Sequence, residues 1–104
     1  MSALAAPLAV VVVGPDPARA LSALGIASAA AALGRDVALL FDGPGVGTLE
    51  AAAEALATAL ALGVRVSACT TGLADHGAAL PPGVEPGGIV GFLAANPAAQ
   101  LLTV

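Results

Sequence analysis

Leu8-Ala9-Val10-Val11-Val12-Val13-Gly14-Pro15-Asp16-Pro17 is the stretch on which the reading of the whole chain turns. An unbroken apolar run rich in β-branched side chains has no polar face to offer water, so it reads as a strand buried on both sides. Gly14-Pro15-Asp16-Pro17 then ends the run and opens a helix. Pro17 suits a first helical turn, where its missing N–H has no intrahelical partner to lose, and Asp16 is placed to cap that turn. A doubly buried strand leading into a helix is the first half of a βαβ unit, whose second strand runs parallel to the first.

The alternation repeats downstream. Ala18–Leu33 is an Ala-rich helical pattern stopped by Gly34, and Asp36–Phe41 reads as a second strand. Asp42-Gly43-Pro44-Gly45-Val46-Gly47 reads as a loop, with Thr48 capping a helix over Leu49–Leu62. In that helix Leu49, Ala53, Leu56 and Leu60 share one face, while Glu50, Glu54 and Thr58 line another. Gly63 ends it, Val64–Ala68 is a third strand, and Cys69 falls at its carboxyl end. Thr70–Leu80 holds a short helix or a structured loop. Pro81-Pro82-Gly83 and Pro86-Gly87-Gly88 punctuate the approach to a fourth strand near Ile89–Leu93. Asn96-Pro97 makes a turn before a last strand over Gln100–Val104. Residues 1–104 therefore form one α/β domain with a mainly parallel sheet and right-handed crossovers. The apolar start, Met1–Val13, lacks the basic region of a signal peptide and reads as the first strand.

Composition narrows the function classes. Apolar residues make up 59% of the 104, but aromatics only 2%, so the core is built from Ala, Val, Leu and Ile. Small side chains let helices approach the sheet closely while burying little area each. Scarce polar surface favours covering one face in a homo-oligomer. The net charge is −4 and the only basic residues besides one histidine are Arg19, Arg35 and Arg65. Nucleic acid and anionic membrane surfaces both require a basic footprint that this chain lacks. The Ala-rich stretch between Arg19 and Arg35 is too short to span a bilayer. A single cysteine forms no intramolecular disulfide, and a cytoplasmic setting is expected.

In open α/β sheets, ligands bind outside the carboxyl ends of the strands. Those ends are Gly14-Pro15-Asp16, Asp42-Gly43 and Cys69-Thr70-Thr71, which should converge on one edge. Gly14, Asp42, Gly43, Thr70 and Thr71 are thus candidate pocket residues, and Cys69 is the candidate nucleophile. A helix starting just after Cys69 would favour the thiolate through its unpaired N–H groups. A free cysteine is equally often a buried core residue, and pattern alone leaves both readings open. His76, seven residues on, is a candidate base or cation for the thiol, or else a capping or surface histidine beside Asp75 and Gly77. The Gly43–Gly47 segment has neither the Lys of a phosphate loop nor the Gly-x-Gly-x-x-Gly spacing. Glu50 and Glu54 lie one helical turn apart with no nearby histidine, so they read as a solvated face. No zinc spacing is present, and neither a metal nor a cofactor is expected.

Three segments carry a resemblance: VVVVGPDPARALSALGIASAAAALGRDVALLFDGPGV, LGVRVSACTTGLADHG and GVEPGGIVGFLA. In that order they are similar to the DsrE/DsrF-like family, including its small members described as peroxiredoxins. The strongest elements are Phe41-Asp42-Gly43 and the Gly-Val-x-Val-x-x-Cys segment ending at Cys69. The resemblance implies a three-layer α/β/α domain with a five-stranded sheet, assembled into trimers or hexamers. It also implies sulfur relay, in which Cys69 carries a persulfide between donor and acceptor proteins. It assigns no role to His76 or Asp42. The chain departs from the best-known relay proteins in Thr70-Thr71-Gly72 after the thiol and in having no second cysteine.

Three functions follow as expectations. The first is a persulfide carrier, for which one cysteine suffices because the second thiol belongs to the partner. The second is a non-catalytic oligomeric module that binds a ligand or partner, with Cys69 merely packed. The third is a thiol peroxidase or redox sensor, in which Cys69 forms a sulfenic acid resolved by an external thiol.

Overall fold

Every residue of Leu8–Val12 and of Val37–Phe41 is buried, as unbroken apolar strands require. In the computed structural model, which describes residues 6–104, these are β1 and β2 of one five-stranded sheet. Residues 1–5, part of the apolar start read as the first strand, lie outside the described residues. The other strands are β3 (Arg65–Cys69), β4 (Glu85–Gly87) and β5 (Gln100–Thr103). The order is β4-β3-β2-β1-β5 and every pairing is parallel. Helices α1 (Pro17–Ala32), α2 (Ala53–Ala61), α3 (Thr70–Asp75) and α4 (Ile89–Ala95) connect them, and a 3₁₀ helix, Gly43–Thr48, precedes α2.

The order of the strands explains the layers. From β1 to β4 the chain steps across the sheet in one direction, so right-handed crossovers put their helices on one face. The step from β4 to β5 returns past β1, which places α4 on the opposite face. Burial agrees with this. Val10, Val12, Leu39, Phe41, Val66 and Ala68 pack with α1, α2 and Leu73 of α3 in the main core. Ala9, Val11, Ala38 and Leu40 point the other way and pack with Phe92 of α4. The fold is a three-layer α/β/α sandwich with unequal outer layers.

Local chemistry sets the element ends. Asp16 caps α1 through Oδ1, which accepts from the Ala18 N–H at 2.9 Å, and Pro17 occupies the first turn. Four alanines, Ala20, Ala23, Ala27 and Ala30, with Leu24, make its buried face. Gly34 follows with φ +90° and Gly63 follows α2 with φ +91°, left-handed conformations that cost glycine little.

Several expected elements differ. Ile89–Leu93 is helix α4 rather than a strand, and β4 is the Glu85-Pro86-Gly87 segment read as punctuation. Proline cannot donate to a ladder, but β4 is an edge strand paired only with β3, where that loss is tolerated. The Gly43–Gly47 loop is helical, and Thr48 caps nothing: its buried hydroxyl donates to the Gly45 carbonyl at 2.7 Å. Helix α2 begins at Ala53 rather than Leu49, and its inner face is Leu56 and Ala59 with Ala52 just before it, leaving Ala53 exposed. Glu50, Glu54 and Thr58 are exposed, as their pattern implied.

Candidate functional site

Parallel strands all end on one side, so the sheet has a single carboxyl edge. Gly14, Asp42, Gly43, Cys69, Thr70 and Thr71 all lie along it. The backbone there is knitted tightly: Asp42 N–H donates to the Val12 carbonyl at 2.9 Å, and Val13 and Gly14 N–H donate to the Val104 carbonyl at 2.8 and 3.3 Å.

Over β1 and β2 this edge is filled by protein. Gly45 of the 3₁₀ helix lies directly on the Val12 carbonyl, where an added Cβ would collide with the main chain. Gly72 of α3 faces Val46, and a Cβ there would come within 2.8 Å of a Val46 methyl and 3.4 Å of the Gly43 carbonyl. Two glycines at two contacts thus let the 3₁₀ helix wedge between the end of β1 and α3, with Val46 and Thr48 buried beneath it. Sequence reasoning missed this plug because glycines at 43, 45 and 47 look like a turn. Its available signal was the buried-type pair Val46 and Thr48 inside the glycine run.

Cys69 lies at the β3 end of this edge. It is the last residue of β3 and the N-cap of α3, it is partly exposed, and its thiol is free. The side chain packs on the main core on one side. Among the described residues no hydrogen bond engages the sulfur. Its register partner on β4 is Gly87, which presents no side chain. Phe41 pairs with Ala68, so the next step along both strands sets Asp42 beside Cys69. The Asp42 carboxylate is partly exposed and caps nothing. Thr70 and Thr71 are exposed in the first turn of α3.

The arginines stand elsewhere. Arg35 donates to the Ala6 carbonyl at 2.7 Å and to Gln100 at 3.0 Å, and Arg65 pairs with Asp36 at 3.1 Å, both at the amino edge of the sheet. Arg19 lies near Asp16 at the start of α1, 4.0 Å away on an exposed turn.

His76 is the C-cap of α3, at the opposite end of that helix from Cys69. Seven residues of helical rise separate the two by about 10 Å along the axis. The exposed imidazole instead lies against Gly47 and lines an open groove of about 710 Å³ beside α2. Leu49, Leu56 and Leu60 form its apolar wall, Pro81 and Pro82 the other, and Glu50 and His76 are its ionisable groups. Cys69 does not line this groove.

No group of three or more His, Cys, Asp or Glu residues among the described residues is arranged to hold a metal. No helix among them is long and apolar enough to cross a membrane. No protein-family model matches the chain, and no curated protein matches it in sequence.

Proposed function

We propose that this chain is a cytoplasmic sulfur carrier in which Cys69 accepts a sulfane sulfur from a donor and passes it to a partner's thiol. One observation supports this reading above the others. The only cysteine of the chain is a partly exposed thiol with no hydrogen-bond partner among the described residues, held at the carboxyl end of β3. The reaction needs no oxidant. The Cys69 thiolate attacks the terminal sulfur of a donor persulfide, a new S–S bond forms at Cys69, the donor's S–S bond breaks, and the donor leaves as a thiolate. Passing the sulfur on repeats the exchange with the partner as nucleophile.

Incubation of the reduced protein with a small-molecule persulfide, followed by intact-mass measurement, tests this. The expected product carries one extra sulfur, releasable by dithiothreitol and absent from Cys69→Ser. A chain that gains no sulfur, or gains as much in Cys69→Ser, is not a carrier.

A second reading, an oligomeric binding module, has its own support in the thinly covered face of the sheet. Val90, Leu93 and Leu101 are 80%, 45% and 50% exposed there, and α4 contains no charged residue. Monomers seldom leave such a surface to water. Assembly of several copies through this face is compatible with the carrier function, and the resemblance to DsrE/DsrF-like proteins favours trimers or hexamers.

A further inference from the structure

A second cavity, of about 350 Å³, lies on the α4 face between that helix and strands β3 and β4. Its wall on the strand side carries Arg65, Ser67 and Glu85, and its wall on the helix side carries Gly88, Gly91 and Phe92. The register Ser67↔Glu85 sets these two side by side on neighbouring strands, about 4.8 Å apart at the backbone. Arg65 precedes Ser67 by two residues and points to the same face, about 6.7 Å along the strand. Opposite charges therefore flank one hydroxyl.

Ser67 and Glu85 are not engaged by the fold among the described residues, and Arg65 only in part. Arg65 spends one terminal nitrogen on Asp36, leaving the rest of its five-donor fork free. Glu85 and the Ser67 hydroxyl make no hydrogen bond among the described residues, and Arg65 and Glu85 form no ion pair with each other. On the helix side, a Cβ built on Gly88 or Gly91 would meet nothing within 4 Å, so both glycines border open space. Phe92 supplies an apolar surface at the same cavity.

From this arrangement we infer that the cavity binds a small zwitterion of the α-amino acid class. Its carboxylate meets the Arg65 guanidinium, its ammonium meets Glu85, the Ser67 hydroxyl bridges them, and an aliphatic side chain rests on Phe92. A dianion would meet Glu85, a dication would meet Arg65, and a neutral apolar molecule would leave Glu85 without a counter-charge. The volume lies at the small end of the range of ligand cavities. The site is separate from the sulfur-carrier proposal and stands whether or not Cys69 is reactive.

NMR titration of the full-length protein with L-leucine, L-leucinamide and N-acetyl-L-leucine tests the inference. Saturable shifts of the Ser67, Gly88 and Gly91 amides are expected with L-leucine, and about tenfold weaker binding for each neutralised analogue. Glu85→Gln should abolish the preference over N-acetyl-L-leucine, and Arg65→Gln the preference over L-leucinamide. Gly91→Val should weaken binding by filling the space while the fold, followed by circular dichroism, is kept. Cys69→Ser should bind as the parent does. Absence of saturable shifts overturns the proposal. So does equal binding of the three compounds to the parent chain, which would mark a merely apolar cleft.

Discussion

Gly45 shows how little freedom a single position has at the carboxyl edge. Its α-carbon lies on the Val12 carbonyl, and no rotamer change elsewhere can make room for a methyl against main chain. Gly45→Ala is expected to destabilise the fold by about 1–3 kcal/mol or more, read as a lower urea midpoint at unchanged slope. Gly47→Ala is the control. Its Cβ would sit 3.5 Å from His76 Nδ1, an ordinary contact, so the midpoint should move by no more than about 0.5 kcal/mol. Thr48 completes the plug through one buried hydrogen bond, and Thr48→Val should cost about 1 kcal/mol in the same assay. At Cys69 the residue type and strand-end position were legible from the chain alone. Its partial exposure was not, because exposure depends on Gly87 and Asp42, which lie far away in sequence.

Among the elements, α1 is the one whose sequence and structure agree most closely. Asp16 and Pro17 start it, Gly34 follows it, and both signals act within a few residues. Asp16→Ala should lower stability by about 1 kcal/mol while Asp16→Asn retains most of it, measured by thermal unfolding. Helix α4 is the contrary case. Ile89-Val90-Gly91-Phe92-Leu93 is a short apolar run with no period to separate strand from helix. Tertiary contact decides: only Phe92 is buried, packing on Ala9, Val11, Ala38 and Leu40. That makes Phe92 the anchor of the whole outer layer. Phe92→Ala is expected to cost about 3 kcal/mol and to raise hydrogen exchange in α4 well above that in β1.

For the molecule as a whole, unequal layers are the main physical fact. One face carries three helices, while the other carries seven residues of α4 and leaves apolar side chains in water. If copies assemble through that face, Val90→Glu should shift sedimentation velocity toward the monomer. Its urea midpoint at low protein concentration should stay unchanged, because Val90 is 80% exposed within the chain. An unaltered sedimentation profile would place the assembly surface elsewhere.

The chain's own residues determined a parallel α/β architecture, the ends of α1, the position of Cys69 on a strand's carboxyl edge and the absence of a basic surface. These are matters of local conformational preference, hydrophobic period and charge count, which neighbours in sequence carry. Only the tertiary structure decided that Gly43–Thr48 plugs the sheet edge, that His76 faces a groove away from Cys69, and that Arg65, Ser67 and Glu85 share a cavity under α4. Each of those depends on strand order and close backbone approach between distant segments, and such packing leaves no period in the chain to read.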